Sequence, residues 1–215
     1  LACAAATAIA PPPTKLNVRF ATADDFKAIA SLRTSIFSSH LTSLYSKIEQ
    51  DRLFVDTMSK KSAVVAAVRP TDGAYLGCAD VGREELPGRG VTACYVTSVC
   101  VHPDARRTGL ARRMMALLER ACVAAGKPAI ELTTMQDNER AHSVYRQAGY
   151  EDLGVIRNPL GVDVTAAFAG TVVATAFSDE HHMCRILDEQ ARDRIVEAMA
   201  AKRRRAADLF GSTSS

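Results

Sequence analysis

The stretch from Val99 to Ala111, V-C-V-H-P-D-A-R-R-T-G-L-A, limits the possible folds more than any other part of the sequence. The β-prone run Ala93 to Val101 leads into it, and His102-Pro103-Asp104 ends the strand, because proline donates nothing to a ladder. From Thr108 or Gly109 onwards, Leu110, Met114, Leu117, Leu118, Ala121 and Cys122 fall on one face of a helix that reaches Ala125. Gly126-Lys127-Pro128 stops that helix with a glycine C-cap followed by proline. A strand joined to a helix by so short a turn gathers unpaired backbone N–H groups, from Arg107 to Ala111, in front of a helix N-terminus. The aligned peptide dipoles make that point positive, and Gly109 lets an anion approach the backbone closely. The turn is predicted to bind a phosphate-like anion.

The elements around it predict a mixed sheet. Leu16 to Thr22 alternates as a first strand, and Asp24 or its neighbour is expected to cap a helix carrying Phe26, Ile29, Ala30, Leu32 and Ile36. A second helical pattern runs through Leu41, Leu44, Tyr45, Ile48, Val55 and Met58. Ala63 to Arg69 and Ala74 to Val81 are strands joined at the turn signal Thr71-Asp72-Gly73, and Gly82 to Gly90 reads as a loop. After the helix that ends at Ala125 come a strand (Ala129 to Thr134), a short helix (Asn138 to Ala148) and another strand (Tyr150 to Ile156). Meander strands followed by a β-α-β crossover give an α/β fold with helices on the faces of a mixed sheet. Beyond Pro159, Thr165 to Phe177 is expected to supply a last strand. Ser178 then caps a long helix from Asp179 to about Leu209, with Met183, Ile186, Leu187, Ala191, Ile195, Ala198 and Met199 near one stripe. The organisation expected is an Ala/Pro-rich arm (1–15), one domain (16–157) and a C-terminal extension (158–215).

Composition narrows the function classes. A net charge of only +3 argues against a protein that coats nucleic acid, and none is expected as a partner. No apolar run approaches the ~18 residues that span a bilayer. The six cysteines, Cys3, Cys78, Cys94, Cys100, Cys122 and Cys184, include no C-x-x-C pair. They read as small buried hydrophobes in a reducing compartment, with no metal site. Leu1 to Lys15 holds no acid, and an acid-poor, alanine-rich leader suggests an organelle, a plastid in preference to a mitochondrion, with the cytosol left open.

A second pattern follows the first in order. Asn138, Ala141 and Tyr145 sit on one short helix, with Gly149-Tyr150 just after it. Together with Val99-x-Val101-x-Pro103 and Arg106-x-x-Gly109-x-Ala111, this resembles the two linked motifs of the GNAT N-acetyltransferase family, over roughly Leu16 to Ile156. The resemblance implies the GNAT fold, acetyl-CoA as co-substrate and no metal. It implies that backbone groups of Val99, Cys100 and Val101 pair with the pantetheine arm. The amides of Arg107, Thr108, Gly109, Leu110 and Ala111 would hold the pyrophosphate, with Arg106 framing the loop and Arg112 nearby. Asn138 would bond the cofactor arm, and Tyr145 would protonate the departing thiolate. The N–H of Cys100 or Val101 would stabilise the oxyanion.

One departure stands out. Many relatives carry a carboxylate on the strand before the cofactor loop, whereas Tyr95 to Val101 holds only Thr97 and Ser98 as polar groups that are not aromatic. Asp80 and Glu131, on flanking strands, are the nearest candidates for relaying a proton. Cys100 reads as a packed thiol in preference to an acyl carrier, and His142 as structural. The acceptor, a protein N-terminus, a lysine or a small amine, is left open. The alternative reading is a GNAT fold reused as a linker subunit of a large, thylakoid-type assembly, with protein partners ordering both tails.

Overall fold

The computed structural model describes residues 16–37, alternate residues of 51–57, and residues 62–86, 90–156 and 180–211. The arm (1–15), most of the second helical pattern and the strand expected at Thr165 to Phe177 lie outside the described residues. Within that second pattern, Asp51, Leu53, Val55 and Thr57 are helical.

The strands are β1 (Asn17–Phe20), β2 (Ser62–Val68), β3 (Tyr75–Leu86), β4 (Val91–Val101), β5 (Ala129–Met135), β6 (Glu151–Ile156) and β7 (Glu180–Ile186). They form one seven-stranded sheet in the order β1-β2-β3-β4-β5-β7-β6. The β4–β5 pair is parallel and the other pairs are antiparallel. The helices are α1 (Phe26–Phe37), α2 (Leu110–Ala124), α3 (Glu139–Gln147) and α4 (Arg192–Gly211). The crossover β4-α2-β5 is what makes the one parallel pair possible.

Two expectations need correction. Residues 180–186 are not the start of a long helix; they form β7, which inserts between β5 and β6. Met183 and Cys184 are buried at the centre of that strand, and a continuous ladder to β5 with an interrupted one to β6 outweighs their helical spacing. The helix begins only at Arg192, after Asp188 caps a short turn by accepting from the N–H of Gln190. The loop expected at Gly82 to Gly90 is also shorter: β3 continues to Leu86 against β4, past the point where β2 ends opposite Gly82. Pairing on one side alone tolerates a polar strand end there.

Three apolar layers fix these elements. Between the sheet and α2, Met114, Met115 and Leu118 are fully buried against Val65, Ala79, Val96, Ile130 and Leu132. Each such side chain stabilises the fold by about 1.5–3 kcal/mol relative to exposure. On the opposite face, α1 covers Val64, Ala66, Cys78 and Cys100, while α4 covers Ala93, Ala129 and Cys184. Cys94 on β4 and Cys122 on α2, read above as separate thiols, are joined as a disulfide, with their Cα atoms 6.3 Å apart. Gly126, at φ 64°, ends α2 in a Schellman arrangement: the N–H of Lys127 reaches the carbonyl of Cys122, and that of Gly126 reaches Val123.

Candidate active site

The site begins where two strands part. The parallel pairing of β4 with β5 holds for Cys94–Ile130, Tyr95–Glu131 and Val96–Leu132, and then stops although both strands run on. The cause lies on the other edge of β4. Cys78 faces Cys100 and Asp80 faces Thr97, so Ser98 and Val99 together oppose Ala79. This β-bulge carries Ser98 into the left-handed region, at φ 53°, and bends the rest of β4 away from β5. Along the bent part, the N–H of His102 donates to Leu76 on β3. Strand alternation then turns the N–H of Cys100 toward β3 and that of Val101 toward the gap. Val101 is therefore the better placed of the two oxyanion donors considered above.

The turn that follows leaves its amides unpaired. Arg106 N–H closes a short turn on Pro103, and Arg113 N–H bonds to Gly109. The N–H groups of Arg107, Thr108, Gly109, Leu110, Ala111 and Arg112 make no hydrogen bond to any described residue. Arg107 at φ 64° and Gly109 at φ 76° are left-handed, with the extended Arg106 before them and the right-handed α2 after them, a turn that curls amides into an anion-binding concavity. A Cβ at Gly109 would meet only the far end of Arg112, at 3.9 Å, so the conformation and not packing demands glycine. Close packing instead acts at Gly77, whose added Cβ would lie 3.1 Å from the carbonyl of Cys100 and 3.2 Å from Leu110. That contact seats the first turn of α2 against the sheet.

A cleft of about 760 Å³ opens over this turn. Of the predicted residues it is lined by Val99, Cys100, Val101, Arg106, Arg107, Gly109, Leu110, Ala111, Arg112, Asn138 and Tyr145. Thr108 does not line it; its hydroxyl turns back to donate to Ala105, at 2.7 Å. Asn138 caps α3, its Oδ1 accepting from the N–H of Ala141 at 3.1 Å. Ile36, Phe37, Arg140 and Val144 also border the cleft. They carry no motif in the sequence, although Val144 follows Ala141 by three residues, on the same face of α3. Tyr145 is buried, its hydroxyl has no partner among the described residues, and burial pushes its pKa up to about 12. It stays protonated at neutral pH, as a proton donor must.

The residues present fit acetyl-CoA. Unpaired amides, flanking guanidinium groups and a strand edge open to hydrogen bonding match a diphosphate joined to an amide-bearing arm.

The Acetyltransferase (GNAT) family model matches residues 26–150. The chain belongs to the GNAT acetyltransferase family. Solved structures share the fold at low identity. Arabidopsis thaliana NAA60 in complex with acetyl-CoA superposes with a TM-score of 0.62 at 13% identity, over 80% of this chain and 99% of that one. Ribosomal-protein-S5-alanine acetyltransferase from Vibrio fischeri gives 0.62 at 15%, over 81% and 94%. Ribosomal-protein-alanine N-acetyltransferase from Brucella melitensis gives 0.61 at 18%, over 80% and 99%.

On the sheet face opposite α2, this GNAT domain carries a buried polar cluster. Tyr95 Oη lies 3.0 Å from Thr133 Oγ1. Beside them Glu131, fully buried, bonds to His182 Nε2 at 2.6 Å and accepts from Lys202 Nζ at 3.2 Å. The Lys202 ammonium stands 4.7 Å from the centre of the Tyr95 ring. Asp80, the other carboxylate considered, is tied to Arg33 of α1 in a buried ion pair. Tyr95, Thr97, Glu131 and Thr133 project from β4 and β5 just where those strands separate. His182 and Lys202 had no signal in the sequence, since both come from the segment beyond the family motifs. Among the described residues no group of His, Cys, Asp and Glu is set to hold a metal ion.

Proposed function

We propose that this protein transfers the acetyl group of acetyl-CoA to a primary amine by direct attack of the amine on the thioester. The row of unpartnered amides from Arg107 to Arg112, facing a cleft beside a bent strand, carries this reading. Acetyl-CoA supplies an activated acyl group; the chain supplies placement, charge and proton transfer. The α2 N-terminus and the neighbouring arginines take the diphosphate, and the free edge of Val99–Val101 takes the arm as an added strand. The N–H of Val101 supports the developing oxyanion. Tyr145 gives its proton to the leaving sulfur.

The acceptor amine approaches from the face that bears Tyr95, Thr97 and Thr133. It must lose a proton, and the family's usual strand carboxylate is absent. The hydroxyl pair of Tyr95 and Thr133, with the Glu131–His182 pair beside it, takes over that role in our reading. The acceptor classes are a protein N-terminus, a lysine side chain or a small amine. The linker-subunit reading expects a cofactor groove that is empty or blocked and both tails held on other chains; those tails lie outside the described residues.

The test pairs binding with chemistry. Acetyl-CoA should raise the melting temperature, as mass action requires. Incubation with acetyl-CoA and a panel of peptides with free α-amines, lysine peptides and polyamines should add the mass of one acetyl group to one class. Absence of both the thermal shift and any transfer would move the reading to the linker subunit.

A further inference from the structure

We propose that Cys78 and Cys100 are a modification site, a thiol pair that a small hydroperoxide converts to a disulfide and that bound acetyl-CoA shields. The shielding rests on the reading of the cleft given above; the pair itself does not. The two residues face each other directly across β3 and β4, and their sulfur atoms are 3.2 Å apart. Opposed residues in a hydrogen-bonded antiparallel pair have Cα atoms about 5.5 Å apart, inside the window that a disulfide spans without backbone movement. Closing the sulfurs to the bonded distance of about 2.05 Å needs a shift of only ~1 Å.

The surroundings favour a thiolate in this pair. Arg33 Nε points at Cys78 Sγ from 3.3 Å, and its guanidinium also holds Asp80. The S–H of Cys100, the Arg33 charge and its hydrogen bond draw the Cys78 thiol below its ordinary value against burial and the Asp80 charge. Cys100, whose proton is held between the two sulfurs, is pushed far up. No other described cysteine has this setting. Cys184 is buried with its pKa pushed up to about 12, chiefly by desolvation, and Cys94 and Cys122 are already joined.

Access decides the reagent. Cys78 is fully buried, and Cys100 is 4% exposed and lines the cleft. A bulky disulfide does not fit so small an opening, so the reagent proposed is hydrogen peroxide, little larger than a water molecule, reaching the pair from the cleft at Cys100. The Cys78 thiolate attacks one peroxide oxygen, the O–O bond breaks, and hydroxide leaves, giving a sulfenic acid. Cys100 then attacks the Cys78 sulfur, its proton leaving with the expelled hydroxide as water. Two thiols and one peroxide yield one disulfide and two waters. An acetyl-CoA arm lying along Val99–Val101 covers Cys100, so the unliganded fraction alone reacts.

The experiment uses the full chain treated with hydrogen peroxide, blocked with an alkylating agent, denatured and digested at both basic and aromatic residues. Cleavage after Tyr95 separates Cys94 from Cys100, so the pairs are told apart by mass. A peptide joining Cys78 to Cys100 should form and disappear on reduction with dithiothreitol. With acetyl-CoA at ten times its dissociation constant its rate of formation should fall about tenfold, because only free protein reacts. Absence of that cross-linked peptide from peroxide-treated wild type overturns the pair, with no variant needed. Cross-linking that proceeds at full rate while acetyl-CoA still raises the melting temperature overturns the shielding. If acetyl-CoA gives no thermal shift at all, the cofactor reading fails and the shielding with it, while the cross-link still decides the pair. Cys100→Ser, treated with hydrogen peroxide and then denatured in the presence of dimedone, should yield Cys78 as the trapped sulfenic acid, without the cross-link.

Discussion

The cleft and the polar cluster across the sheet from α2 share β4 and β5, yet they are built on different terms. Among the described residues, nearly everything in the cleft comes from one window of chain, Val99 to Gln147, with Ile36 and Phe37 from outside, and much of its recognition uses backbone. The cluster draws on Arg33, Asp80, Tyr95, Glu131, His182 and Lys202, from six different elements, and works through side chains alone. A site for an invariant ligand can be written as a local strand–turn–helix, because the shape of the turn is the recognition. A site for a variable ligand is assembled from residues that meet only once the sheet has closed. The two should therefore fail differently when altered.

The sharpest separation is expected from Tyr145→Phe. It removes the proton donor but little volume, so turnover should fall about 10²- to 10⁴-fold while the thermal shift given by acetyl-CoA is kept. An unchanged rate would mean that water protonates the thiolate and that Tyr145 is a core tyrosine. Gly109→Val comes next. A β-branched residue at φ 76° is strained, and its side chain intrudes where the diphosphate meets the backbone. Acetyl-CoA affinity should drop about 100-fold, read by titration calorimetry, because both the amide cradle and close approach are lost. Retention of wild-type affinity would put the phosphate elsewhere.

The same contrast explains what could be read in advance. The turn at Arg106 to Ala111 was legible because Pro103, Gly109 and the helical spacing after Leu110 each have one structural meaning. The meander of β2, β3 and β4 and the crossover to β5 followed from alternation and turn residues in the same way. By contrast, β7 was misread. Met183, Ile186, Leu187 and Ala191 recur at helical spacing, and nothing local announces that Glu180 to Ile186 will slide between β5 and β6. Losing β7 also lost His182, and with it the partner of Glu131. Ser98 was equally silent: a positive φ on a serine is imposed by the register of Cys78 and Asp80 against β4. The pairing of Cys94 with Cys122 needed the packing of α2 on β4, which spacing alone does not reveal.

The side-chain cluster can be probed without touching the cleft. Glu131→Gln keeps the shape but removes the charge that faces His182 and Lys202. Transfer should slow by about 10- to 30-fold, with acetyl-CoA affinity unchanged. Because Lys202 loses a buried counter-charge, the melting temperature should also fall, and Glu131→Asp should recover part of the rate. If the Gln variant lowers stability alone, the cluster is structural and the acceptor's proton leaves by another route.

The smallest effect is expected at a carboxylate remote from both regions, which calibrates the others. Asp25, nearly buried at the start of α1, accepts from both terminal nitrogens of Arg19 at 2.7 Å, from the N–H of Thr22 at 2.6 Å and from the Tyr75 hydroxyl. The Arg19 bonds, foremost, hold its carboxyl well below the ordinary 3.8. A depressed native value means that the charged form stabilises the fold fully above the unfolded value, and that this contribution fades as pH falls toward the native one. Arg19 is partly exposed, so solvent screens the pair, and Asp25→Asn should cost only about 1 kcal/mol at neutral pH. Urea midpoints of the two proteins should converge as pH is lowered from about 5 to about 2, since the wild-type carboxylate is then being protonated. Acetyl-CoA affinity of the folded variant should not change, because the cleft gathers its amides at Arg107 to Arg112 without help from this corner. A gap in urea midpoint that stays constant with pH would show that the asparagine acts by altering shape at the first turn of α1, and that the charge at Asp25 contributes nothing.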